Sequence, residues 1–366
     1  MLRSTLHVTL FLSSLLATAW LLQCLDARPI TGYGGRKIRY AESVAGEFDT
    51  VILGSSRAEF GLVPATIDAE LAAAGVASRT VNLALSGYRP FEFHTIADEL
   101  RARLPRGRYR LLMELHSHSQ SGMDKNYMSP RRIATHTPSL FFARAGQALS
   151  SPFAAPARFE NVYAITSQTL VNALRIGAGP RIVRGLGSAF DPKSFQAKDL
   201  METSGWRDVA DIAPSFPHMV RAREKWLPEE RRQRALDGKR RQLMLAKDAG
   251  GLPVDFLVER ARSLARAGFE VTYVVMPTLT RAFHGRDQVA SLAARADVID
   301  LDQPLQFPGL FKLDHFFDGA HLSAEGARVC SVVLAQELLK ARTRVAQTDL
   351  SAARGGDGSA LSASGR

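Results

Sequence analysis

Short apolar runs alternate with stretches of helical spacing in two blocks of this chain, and that alternation sets its fold class. The first block gives strands at about 49–54, 79–85 and 109–115, with helices at 64–75 and 90–104 between them. The second gives a helix at 254–268, strands at Glu270–Met276 and Val298–Leu301, and a closing helix at 323–341. Such units predict an α/β fold, a doubly wound parallel sheet with helices on both faces and right-handed crossovers. Apolar spacing assigns the inward faces. These are Phe91, Ile96 and Leu100 in one helix, Phe256, Leu257, Ala261 and Leu264 in another, and Val329, Val332, Val333 and Leu338 in the last.

The first strand stops at Gly54 and is followed by Ser55, Ser56 and Arg57. A strand, a tight glycine turn with small hydroxyl residues, and then a helix lifts a serine hydroxyl over the end of a parallel sheet. Free backbone N–H groups there can stabilise a developing negative charge. Many α/β proteins use such a turn only to cap a helix, so the motif needs a partner. One stands near the other end, in Phe316-Phe317-Asp318-Gly319-Ala320-His321-Leu322-Ser323. Asp318 and His321, three apart before a helix start, can set a carboxylate against the imidazole Nδ1. Nε2 is then free to take a proton from a serine.

Gly54-Ser55-Ser56 after the first strand, Asn82-Leu83-Ala84-Leu85-Ser86-Gly87 after the second, and the late Asp-x-x-His-Leu-Ser resemble the SGNH (GDSL-type) hydrolase superfamily. The match spans roughly 49–115 and 254–340. The resemblance implies a flavodoxin-like sheet and a Ser56, Asp318, His321 triad, with the Ser56 and Gly87 N–H groups as oxyanion donors and no cofactor. The family's third motif supplies an asparagine as a further donor. Here the chain reads His116-Ser117-His118 after the third strand, with no asparagine. Either His116, Ser117 or His118 substitutes, or the hole has two donors, a loss of about 3–4 kcal/mol in the transition state.

Residues Leu6 to Leu25 carry no Asp, Glu, Lys or Arg, long enough to cross a bilayer as one helix. Residues 1–28 are thus expected as a single-pass membrane anchor, with a cleaved signal or a lipoprotein box at Cys24 as rivals. Basic residues nearly balance across the segment, so the outward orientation follows from the resemblance. Residues 29–47, Gly-rich and polar, read as a linker, 48–342 as the domain, and 343–366 as a disordered tail rich in Ala, Gly and Ser.

Between about 120 and 252 the βαβ rhythm is lost, and a helical insertion is expected at the sheet's carboxyl edge, where it would shape substrate access. Its stretch Arg221–Lys247 is strongly basic and reads as a solvated face or as a lid bearing on anions. Asp302, after the fifth strand, reads as a surface carboxylate. The formal net charge of +11 favours anionic lipid or acidic polymers, and no nucleic-acid motif accompanies it. Cys24 and Cys330 lie in separate contexts, so no internal disulfide is expected, and no Cys/His cluster has zinc spacing.

These features and the resemblance together imply a membrane-anchored serine esterase or O-acyltransferase, similar to the polysaccharide O-acetyltransferases of the superfamily. Its substrate would be an ester-bearing glycan or a small ester, and a membrane-bound O-acyltransferase its partner. A general membrane-tethered carboxylesterase or lipase is the alternative, and a silent glycan-binding component with the same fold is another.

Overall fold

The computed structural model describes residues 2–25, 30, 32–116, 128–150, 154–177, 200–242, 252–279 and 286–356. Five parallel strands form its sheet: β1 (Thr50–Leu53), β2 (Thr80–Asn82), β3 (Tyr109–Glu114), β4 (Phe269–Val275) and β5 (Asp297–Asp300). Their order is β2-β1-β3-β4-β5, with Val51 paired to Val81 and to Leu111, Leu111 to Val271, and Val274 to Ile299. This is the doubly wound order, whose topological switch lies between β1 and β3.

Alternation along β1 explains the two layers. Val51 and Leu53 face a core built with α2 (Gly32–Ser43), α5 (Pro90–Arg103), α12 (Val254–Ala265) and α13 (Arg286–Ala293). Ile52 faces the other core, which holds α3 (Ser56–Gly61), α4 (Pro64–Ala73) and α14 (Ala324–Gly356). Strands covered on both faces read as unbroken apolar runs, which is why Thr50–Leu53 shows no polar alternation. Each fully buried side chain such as Ile52 or Leu112 contributes about 1.5–3 kcal/mol.

The described parts of the insertion are helical: α6 (Pro130–Thr135), α7 (Phe141–Ser150), α8 (Ala155–Ala173), α9 (Val209–Ile212), α10 (Pro217–Trp226) and α11 (Glu229–Gln242). Most of α11 is a solvated basic face, but Lys239 is fully buried. Its ammonium donates to the Thr278 carbonyl at 2.6 Å and pairs with Asp302. Asp302 is therefore not a surface carboxylate. It is buried after β5, accepts the Thr278 N–H at 2.9 Å, and fastens the insertion to the sheet's carboxyl edge. Burial pushes its carboxyl up to about 6, against the opposing pull of Lys239.

Two further expectations are corrected. Within the segment 29–47 read as a linker, Gly32–Ser43 forms α2, with Lys37, Ile38, Tyr40 and Ala41 buried. Packing of that face outweighs the cost of its glycines, about 1 kcal/mol each relative to alanine. The closing helix also runs on through Gly356, past the tail boundary expected at 343. Alanine, arginine and glutamine sustain helix well, and residues 357–366 of the expected tail lie outside the described residues. Both cysteines are free, with Cys330 buried.

Among the described residues, one helix is long and apolar enough to cross a membrane. It is α1 (Leu2–Leu25), whose window Thr5–Leu22 has a mean hydropathy of 1.6.

Candidate active site

Ser56 is the first residue of α3, immediately past the carboxyl end of β1. Ser55 caps that helix, its hydroxyl accepting the Arg57 N–H at 3.3 Å. Glu114, the last residue of β3, binds on both sides of Ser56. It accepts the N–H and hydroxyl of Ser55 and, through Oε1, the Arg57 Nε at 2.9 Å. Gly54 leaves the room this needs, since a Cβ there would lie 2.6 Å from Glu114 Oε2 and from Ala58 Cβ.

His321 is delivered by a tight loop closed by the Phe316–Leu322 bridge and by the Phe317 N–H donating to the His321 carbonyl at 2.9 Å. The loop is tied to the end of β4 through Leu279 N–H and the Gly319 carbonyl, 3.0 Å apart. Ser323 then caps α14 by accepting the Gly326 N–H at 3.2 Å. The outcome is a hydrogen-bonded relay across 265 residues of sequence. Ser56 Oγ lies 2.9 Å from His321 Nε2, and His321 Nδ1 lies 2.9 Å from Asp318 Oδ2. Phe60 meets the imidazole edge-on at 5.6 Å between ring centres.

Burial alone would raise the Asp318 carboxyl. The hydrogen bond and charge of His321, with N–H donors of Ala320 at 2.7 Å and His321 at 2.9 Å, outweigh it and hold the carboxyl below its usual value. A carboxylate with a depressed folded pKa stabilises the native state above its unfolded pKa, and loses that contribution as pH falls through the folded value. Urea midpoints of the wild type should therefore exceed those of Asp318→Asn at neutral pH and converge with them only at acid pH below the ordinary aspartate range. A gap that stays constant across that range would show that Asp318 is not held as an anion.

Past β2 the backbone keeps pairing with β1, Leu83 N–H to the Ile52 carbonyl and Leu85 N–H to the Gly54 carbonyl, both 2.9 Å. This brings the Ser86-Gly87 turn alongside the serine turn. The turn is closed by Tyr88 N–H donating to the Leu85 carbonyl at 3.1 Å, and Gly87 has φ +76° at its third position. That is the type II geometry, which calls for glycine there. Asn82 braces the same corner, its amide donating to the carbonyls of Ala58 and Leu62 at 2.9 Å.

Beside this turn opens a cavity of about 930 Å³, walled by Tyr33, Phe60, Tyr88, Trp206 and Phe216 together with Ser86 and Gly87. Of the candidates for a third donor, His116 lies half-buried just past β3, while Ser117 and His118 lie outside the described residues. Among the described residues no group of three His, Cys, Asp or Glu could hold a metal.

Two carboxylates of the site escape a reading by motif. Glu114 carries a signal all the same, being an acid at the end of a buried apolar strand, where charge persists only when paired. Glu59 is fully buried one turn beyond Ser56. It accepts the Ser86 N–H at 2.7 Å and the Ser86 hydroxyl, and faces Lys37 at 3.3 Å.

No protein-family model matches this chain, and no curated protein matches it either.

Proposed function

We propose that this chain is a serine esterase or O-acyltransferase of the SGNH type, held at a membrane by α1 with its α/β domain on the outer side. Ester groups are its substrates, and O-acetyl groups of cell-envelope polysaccharide are the first candidates. The observation that carries this reading is the relay from Ser56 Oγ through His321 to Asp318, at 2.9 Å in both steps.

In the proposed reaction His321 Nε2 takes the Ser56 hydroxyl proton as Oγ attacks the ester carbonyl. The Ser56 and Gly87 N–H groups hold the oxyanion. Collapse expels the alcohol, which leaves with the proton from His321, and the acyl group stays on Oγ. Water or a sugar hydroxyl then attacks the acyl-enzyme with His321 again as base, and Ser56 is restored. Asp318 keeps the imidazole in the tautomer that presents Nε2 as acceptor.

A fluorophosphonate probe should label the detergent-solubilised full chain, and peptide mass mapping should place the adduct on Ser56. Aryl acetate hydrolysis should fall in step with labelling. Adding a glycan oligomer and weighing the products separates transfer, seen as an acetylated sugar, from hydrolysis. Labelling at another residue, or none at all, would overturn the assignment.

A further inference from the structure

Resting on the acyl-transfer reading, we infer that Glu59 is a positioning residue for the oxyanion turn, and that Lys37 of the helix behind the apolar segment completes its setting. Ser56 and Glu59 lie three apart on one six-residue helix, so nucleophile and carboxylate move together. Glu59 Oε2 takes both hydrogen-bond donors of Ser86, the residue whose peptide carries the Gly87 N–H. Arg131 holds the far side of the turn, donating to the Gly87 carbonyl at 3.0 Å. A donor of this kind lowers a barrier only if it already points where the charge will form. The carboxylate fixes that direction relative to Ser56.

A fully buried carboxylate needs its charge matched. Lys37, also fully buried, lies 3.3 Å from Glu59 Oε1 and donates to the Ala84 carbonyl at 2.7 Å and the Gly205 carbonyl at 2.9 Å. The ammonium thus gives two hydrogen bonds to carbonyls while its charge faces the carboxylate. Ala84 belongs to the segment that delivers Ser86, and Gly205 to the insertion. Arg207 of the insertion approaches the same Glu59 oxygen at 3.7 Å. Three segments remote in sequence thus converge on the carboxylate that sets the turn. The helix next to α1 is part of the reaction centre's frame rather than a spacer.

The test compares wild type, Glu59→Gln and Ser86→Ala as detergent-solubilised full chains. Four quantities are read: kcat and KM for an aryl acetate, Kd for an aryl boronic acid that forms a tetrahedral adduct on serine, and the unfolding temperature. Misplacing a reacting geometry by about 1 Å costs roughly a hundredfold. Glu59→Gln should therefore lower kcat and boronate affinity together by about 10- to 100-fold, with KM changed less than about twofold. Ser86→Ala, which keeps the N–H contact, should show the same pattern at about three- to tenfold.

A folded Glu59→Gln with wild-type kcat and boronate affinity would overturn the proposal. So would a fall in unfolding temperature with kcat and boronate affinity unmoved. Should Glu59→Gln not fold, Ser86→Ala decides by the same criteria. A wild type that neither turns over nor is labelled refutes the acyl-transfer reading and takes this inference with it. An active wild type with indifferent variants refutes this inference alone.

Discussion

Ser56→Ala should lower turnover of an aryl acetate by roughly 10⁴- to 10⁶-fold, and His321→Ala by nearly as much, with the double variant no slower than the worse single one. The non-additivity is the diagnostic part. Serine without its base is a poor nucleophile, and the imidazole without serine has no proton to take, so removing either removes the same step. Asp318→Ala should be milder by one to two orders of magnitude, about what a residue that orients the base contributes. Steady-state rates on purified full chain measure all four. Should His321→Ala keep substantial turnover, the base lies elsewhere, with His116 the next residue to replace.

Both halves of the relay were legible because each sits at a place where sequence pattern changes. Val51-Ile52-Leu53 ends at a glycine, and Asp318 and His321 stand just before a helix start marked by Ser323. The strands and main helices follow from apolar periodicity, and the structure sets their ends within two residues for most. Composition misled where long-range packing decides. The glycines of 32–35 suggest flexibility, but Ile38, Tyr40 and Ala41 bury against the sheet and hold a helix there. Asp302 looks like a surface acid until Lys239, 63 residues upstream, is seen to reach it. Glu59 and Glu114 belong to the same class. What makes them part of the site is a partner on another element, and no local pattern encodes that partner.

The buried pair formed by Lys37 and Glu59 carries the second large effect. Lys37→Met should destabilise the native state by about 3–5 kcal/mol, the usual consequence of leaving one member of a buried ion pair alone. Methionine fills nearly the same volume, so the loss is electrostatic rather than a cavity. Glu59 would keep its Ser86 donors, but among the described residues its cation partner would be Arg207 at 3.7 Å, a partly exposed side chain, and the carbonyls of Ala84 and Gly205 would lose their donor. Burial already pulls the Lys37 ammonium below its ordinary pKa, against the opposing influence of Glu59, so this cation is held there at a cost. In urea the midpoint should fall while the slope stays at its wild-type value, since the surface exposed on unfolding barely changes. Lys37→Met combined with Glu59→Gln should recover about 1–3 kcal/mol, because the uncompensated charge is gone. Stability equal to wild type in the single variant would return α2 to the role of a spacer. A shifted slope would mean instead that α2 detaches before the sheet unfolds, which makes it a separate cooperative unit.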